Sequence, residues 1–198
     1  MTLAERLRIA LEAMHDEGPV LLAGDHYDFD PGIAGNPAAV LIAVTDSHDP
    51  GVILTQRTDT LRRHAGQIAF PGGRIDPEDD GPVSAALREA EEEIALPRSR
   101  VQVIGTADRY RTVTGYDVTP VVGVVPPGLI LVPAEAEVAD VFEVPLAFLL
   151  DHANHSEAHA TYQGRERRYY EILWGDRRIW GATAAMIVNL SRRLRWTA

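Results

Sequence analysis

Along this chain the apolar positions switch between helical spacing and short β-branched runs, and each switch marks an element. The opening TLAERLRIALEAM keeps apolar residues at helical spacing with charge at Glu5, Arg6, Arg8 and Glu12, which predicts an amphipathic helix. A loop rich in Gly, Asp and Pro runs from Gly18 to Pro37. Two β-branched runs follow, Ala38–Val44 and Gly51–Arg57, joined by a polar turn, which is a hairpin signal. FPGG at 70–73 breaks the pattern. From Pro82 to Ile94 the period is helical, with an apolar stripe at Val83, Ala86, Leu87, Ala90 and Ile94. Asp79 and Asp80 stand where carboxylates cap a helix, and Pro97 stops its continuation. Strands are expected at Val101–Arg111, Tyr116–Val125 and Val141–Val144, a second hairpin at Gln163–Gly164, and a last helix over Ala182–Leu194. Strands outnumber helices and no repeat is visible. The expectation is an α+β sandwich, a mixed sheet covered by helices, with residues 1–198 as one domain.

Composition narrows the function. No stretch reads as a membrane span: the most apolar one, Val118 to Pro133, is broken by Pro120, Pro126, Pro127 and Pro133. The cytoplasm is the expected location. The absence of cysteine excludes disulfides, thiolate metal sites and a cysteine nucleophile. A net charge of −10 argues against nucleic acid as a partner. All 19 basic residues are arginine, so any cationic phosphate contact must come from a guanidinium, and lysine chemistry is excluded.

One stretch calls for an explanation in chemistry. REAEEEIAL, Arg88 to Leu96, carries four glutamates within five positions. On a helix, Glu89, Glu92 and Glu93 share a face, read as lying opposite the apolar stripe, with Glu91 pointing elsewhere and Ala85 leaving open space one turn earlier. Arg88 reaches Glu92 at i+4. Such a face is either a solvated one or a set of hard oxygen ligands for Mg²⁺ or Mn²⁺.

What precedes that helix bears on the choice. The run AFPGGRIDPEDDGPVSAALREAEEEIAL resembles the Nudix box, G-x5-E-x7-R-E-U-x-E-E-x-G-U, at Gly73, Arg88, Glu89, Ala90, Glu92, Glu93 and Leu96. Upstream, LTQRTDTLRRHAGQIAFPGG resembles the signature of the coenzyme A pyrophosphatase branch, L-L-T-x-R-(S/A)-x3-R-x3-G-x3-F-P-G-G, at Leu54, Thr55, Arg57, Arg62, Gly66 and Phe70–Gly73. The departures are few. The linker is one residue longer than the box and offers Asp79 or Asp80 for its first glutamate, Ala95 replaces the box glycine, and Ile53 and Thr58 deviate upstream.

The resemblance implies a Nudix-type α/β/α sandwich and metal-dependent cleavage of a nucleoside diphosphate derivative, with coenzyme A giving 3′,5′-ADP and 4′-phosphopantetheine. It implies Mg²⁺ or Mn²⁺ on Glu89 and Glu93, with Glu92 third and the Gly72 carbonyl completing the site. Arg88 then orients the glutamates, Glu89 or Glu137 is the general base, and Arg57 and Arg62 take the substrate's phosphates. Gly66, Gly72 and Gly73 allow close backbone approach. Other readings are a different Nudix substrate, such as ADP-ribose, NADH or a dinucleoside polyphosphate, and a module that binds a nucleotide without cleaving it. His152, His155 and His159 would hold zinc only if they met on one helix face; a polar loop is the expectation there. A homodimer is expected if Tyr169, Tyr170, Trp174 or Trp180 is exposed.

Overall fold

A computed structural model describes residues 1–13, 22, 35–59, 66–162 and 165–194. Its first element, α1 (Leu3–Glu12), begins at a capping box in which the Thr2 hydroxyl accepts the Glu5 N–H and the Glu5 carboxylate accepts the Thr2 N–H. The main sheet is built from β1 (Asn36–Thr45), β2 (Gly51–Arg57), β3 (Ile68–Ala69), β4 (Gly72–Arg74), β5 (Gln102–Thr106), β6 (Tyr110–Arg111), β7 (Tyr116–Val125) and β8 (Val138–Pro145). It is mixed: β1 and β7 run parallel over their full length, from Asn36↔Tyr116 to Thr45↔Val125, and the other pairings are antiparallel.

Both faces of that sheet are covered, so β1 reads as an unbroken apolar run. Ala39, Leu41 and Ala43 pack with Ala85, Ala86, Ala90 and Ile94 of α2 (Pro82–Ile94). Ala38, Ile42 and Val44 face the other way, into a larger core with α1, α3 (Leu146–Leu150) and α4 (Ala182–Leu194). A three-stranded antiparallel sheet, β9 (Ser156–Tyr162), β10 (Arg165–Trp174) and β11 (Arg177–Trp180), joins that second layer. The α/β/α sandwich with a mixed central sheet is therefore present. No described helix is long and apolar enough to cross a membrane.

Several expectations are corrected. FPGG does not simply end a strand, because Gly72 and Gly73 open β4, which pairs Ala39↔Gly73 and Val40↔Gly72. Glycine is required there: a Cβ on Gly72 would collide with the Ala39 carbonyl. The first hairpin consequently pairs at Val44↔Val52, and β4 occupies the other end of β1. The run Val101–Arg111 divides into β5 and β6, with a register irregularity between Val103 and Gly105. The second hairpin forms, although its turn residues 163–164 lie outside the described residues, as does most of the 18–37 loop. Strand β11 was not anticipated; its signal is the Gly175-Asp176 turn after Trp174. The histidines share no helix, because His152 lies in a 3-10 turn, His155 follows it, and His159 is in β9. Tyr170 is buried; the other three aromatics are half-buried, Trp174 packing edge-on against Phe148 at 4.6 Å and Tyr169 and Trp180 lying around Arg178.

The end of α2 carries a strained residue. Ala95 adopts φ 53°, ψ 33°, the left-handed conformation that closes the helix through its N–H to Ala90 and Glu91 carbonyls. A side chain there costs about 1 kcal/mol relative to glycine. Ala95→Gly is expected to stabilise the protein by about that amount in chemical denaturation, and a loss of stability would refute the strain.

Candidate active site

The site forms where α2 crosses the β1–β4 pairing. Glu93 follows Ala86 by seven positions, so it lies on the flank of the apolar stripe and not opposite it. Its side chain is 8% exposed, and Ala85, expected beside open space, is fully buried. Glu93 Oε2 accepts the Gly72 N–H at 3.1 Å, and Oε1 stands 3.9 Å from Arg57 Nη1 at the end of β2. Burial disfavours the charged carboxylate. The Gly72 N–H and Arg57 oppose that effect, the charges of Glu89 and Glu137 add to it, and the pKa is pushed up to about 7. Glu89, half-buried, is also pushed up by burial, partly offset by Arg88. Gly73 has no side chain for a reason of packing: a Cβ there would meet the Glu89 carboxylate.

Arg88 fixes the rest. Its Nε and Nη2 donate to the two oxygens of Asp79 at 3.1 and 2.9 Å, and Nη2 also donates to the Arg74 carbonyl at 3.0 Å. Its Nη1 donates to Glu89 at 3.0 Å and to Glu92 at 3.1 Å. The repulsion on the glutamate turn is thus offset partly by this one guanidinium. Asp79, with its side chain 4% exposed, is the carboxylate that answers Arg88, while Asp80 is exposed. The expected aspartate cap is not made: Gly81 is the N-cap without a side-chain bond, because Asp79 is committed to Arg88, to Ser84 Oγ and to the Asp76 N–H. The Arg88 hydrogen bond holds the Asp79 carboxyl below its ordinary value.

Asp79→Asn is accordingly expected to cost on the order of 2–3 kcal/mol and at least tenfold in activity, while Asp80→Asn stays within about 0.5 kcal/mol. Thermal melts and turnover of both variants decide this. Equal effects would show that Asp79 does not set the position of Arg88.

The remaining sequence candidates are placed as follows. Glu137 is exposed, yet its charge acts on Glu93, and its carbonyl accepts the N–H of Thr58, next to Arg57. Gly66 takes φ 67° with the Asp59 carboxylate beside it. Arg62 lies outside the described residues. Among the described residues no three His, Cys, Asp or Glu side chains converge as a formed metal site, at the histidines or at the glutamates. At the glutamates the donor chemistry nonetheless fits a hard divalent cation. Glu89 and Glu93 are carboxylates whose charge the protein compensates incompletely, and Glu92 and the Gly72 carbonyl belong to the same elements. Sequence reasoning missed Asp79 as the partner of Arg88, since the longer linker left two aspartates equivalent.

The NUDIX domain family model matches residues 35–163. This chain belongs to that family. It is 45% identical over 157 residues to the uncharacterized Nudix hydrolase NudL of Escherichia coli O7:K1, covering 79% of this chain and 82% of that one. The same figures hold for NudL of Escherichia coli K12. A MutT/nudix family protein from Enterococcus faecalis shares the fold, with a TM-score of 0.53, 16% identity, and coverage of 98% of this chain and 70% of that one. The protein is a Nudix hydrolase that acts on nucleoside diphosphate derivatives, and such hydrolases generally use divalent ions such as Mg²⁺ or Mn²⁺.

Proposed function

We propose that this Nudix hydrolase cleaves the pyrophosphate bond of coenzyme A or its derivatives, releasing 3′,5′-ADP and 4′-phosphopantetheine or an acylated form of it. The observation that carries this reading is Arg57. It belongs to the segment resembling the coenzyme A pyrophosphatase signature, and its guanidinium lies 3.9 Å from Glu93. A phosphate-binding arginine is thereby joined to the carboxylates suited to the metal.

Glu89 and Glu93 hold the ion in this reading, with Glu92 and the Gly72 carbonyl completing the set. Bound there, Mg²⁺ or Mn²⁺ neutralises phosphate oxygens and lowers the pKa of the attacking water. The chain's own residues do the rest. Arg88 keeps Glu89 and Glu92 in position, and Glu89 or Glu137 accepts the proton of the water as its oxygen bonds to phosphorus and the bridging P–O bond breaks. Arg57 binds the diphosphate or the 3′-phosphate, joined by Arg62 on the strength of the sequence alone. Gly73 leaves room for Glu89, and Gly66, at φ 67°, turns the chain just before β3.

The test is a comparison of kcat/KM for coenzyme A, its 3′-dephospho form, NADH, ADP-ribose and a dinucleoside polyphosphate with Mg²⁺. Coenzyme A is expected to lead over its 3′-dephospho form and the others, and Arg57→Gln to lower kcat/KM for coenzyme A. Faster cleavage of ADP-ribose or NADH would keep the hydrolase and overturn the coenzyme A reading.

A further inference from the structure

The two arginines of the site are held in very different ways. Arg88 is fixed by five hydrogen bonds to Asp79, Glu89, Glu92 and the Arg74 carbonyl. Among the described residues Arg57 has one ionic contact, to Glu93 at 3.9 Å, beyond hydrogen-bonding distance, and its buried Nε has no hydrogen-bond partner. Glu93 is divided between two partners: Oε2 is anchored by the Gly72 N–H, and only Oε1 faces Arg57. A guanidinium held only by a 3.9 Å contact, with a donor unmet among the described residues, is easily released from the buried Glu93 carboxylate.

We propose that Arg57 is the exchangeable counter-ion of Glu93: it occupies the Oε1 side until a divalent cation takes that oxygen, and its guanidinium is then free to bind the substrate's diphosphate. Metal and arginine compete for one oxygen, so the metal-loaded protein presents a phosphate-binding cation that the metal-free protein keeps engaged. Binding of metal before nucleotide follows directly. The proposal rests on the assignment of Glu93 as a metal ligand and of Arg57 as a phosphate contact, and it does not require the nucleotide to be coenzyme A.

Calorimetric titration with Mn²⁺ alone tests the competition, at pH 8 so that protons do not compete for Glu93. Removing a cation a few ångströms from the site favours Mn²⁺ on the order of tenfold, so Arg57→Gln is expected to bind it that much more tightly. Arg57→Lys, which keeps the charge, is expected near wild type. So is Arg98→Gln, which removes an equal charge paired with Glu91 on the exposed side of the same helix. The Mn²⁺-loaded Arg57→Gln protein is expected to bind inorganic pyrophosphate several-fold more weakly than wild type. Unchanged or weaker Mn²⁺ affinity in Arg57→Gln would overturn the proposal. A second readout uses wild type only: in ¹⁵N-arginine spectra, Mg²⁺ is expected to speed hydrogen exchange at Arg57 Nε and leave Arg88 Nε protected. No change at Arg57 would overturn it as well. Because the titration contains no nucleotide, its failure is distinct from a failure to cleave coenzyme A.

Discussion

Glu89→Gln is expected to lower kcat by about 10³-fold, the scale of losing a general base or a metal ligand, while the fold survives. Glutamine preserves the shape beside Gly73, and Arg88 keeps its bonds to Asp79 and Glu92. Glu93→Gln is expected to lose as much activity and also to raise the stability of the metal-free protein, because a neutral amide removes a charge that burial disfavours. Opposite effects on activity and stability are the mark of a residue kept for chemistry. Near-normal turnover in Glu89→Gln would sink the assignment. A drop in metal-free stability in Glu93→Gln would show that the carboxylate is structural.

The second large effect is one of pH. In EDTA, stability is expected to fall by roughly 3 kcal/mol as pH rises from about 5 to about 8. Glu93 titrates from the ordinary 4.5 unfolded to about 7 folded, so between those values the folded state binds more protons. Stability therefore decreases with rising pH across that window, and Glu89 shifts in the same direction. Asp79 acts oppositely: its contribution is present above its unfolded value, 3.8, and is lost as pH falls through its lowered folded value. Saturating Mg²⁺ or Mn²⁺ is expected to restore much of the loss at pH 8, where the carboxylates are charged and the cation binds only the folded state. Urea denaturation at pH 5 and pH 8, with and without metal, measures this. Rising stability over that range in EDTA would contradict the account of Glu93.

Much of this is legible in the amino-acid sequence. Helical spacing gave both bounds of α2 and α4, and β-branched runs gave those of β2 and β7. These elements have one buried pattern over many residues, so local periodicity and tertiary packing agree. The short strands β3 and β4 carry no period of their own: β3 pairs with β2, and β4 exists because glycine lets the chain lie against β1. At the site, the residue types were readable and their environments were not. Glu93 looked like a member of a solvent face because its neighbours in sequence are glutamates. Its burial follows from its alignment with Ala86 and from the Gly72 N–H, which arrives from a distant strand. The same holds for Asp79, which differs from Asp80 only in where an extra linker residue turns the chain.

Product identification by mass spectrometry tests the central claim most directly, with coenzyme A incubated in Mg²⁺ and, in parallel, in EDTA. Equal amounts of 3′,5′-ADP and 4′-phosphopantetheine in Mg²⁺, and intact coenzyme A in EDTA, are the expected result. Coenzyme A left intact in Mg²⁺ by a preparation that cleaves NADH or ADP-ribose would contradict it.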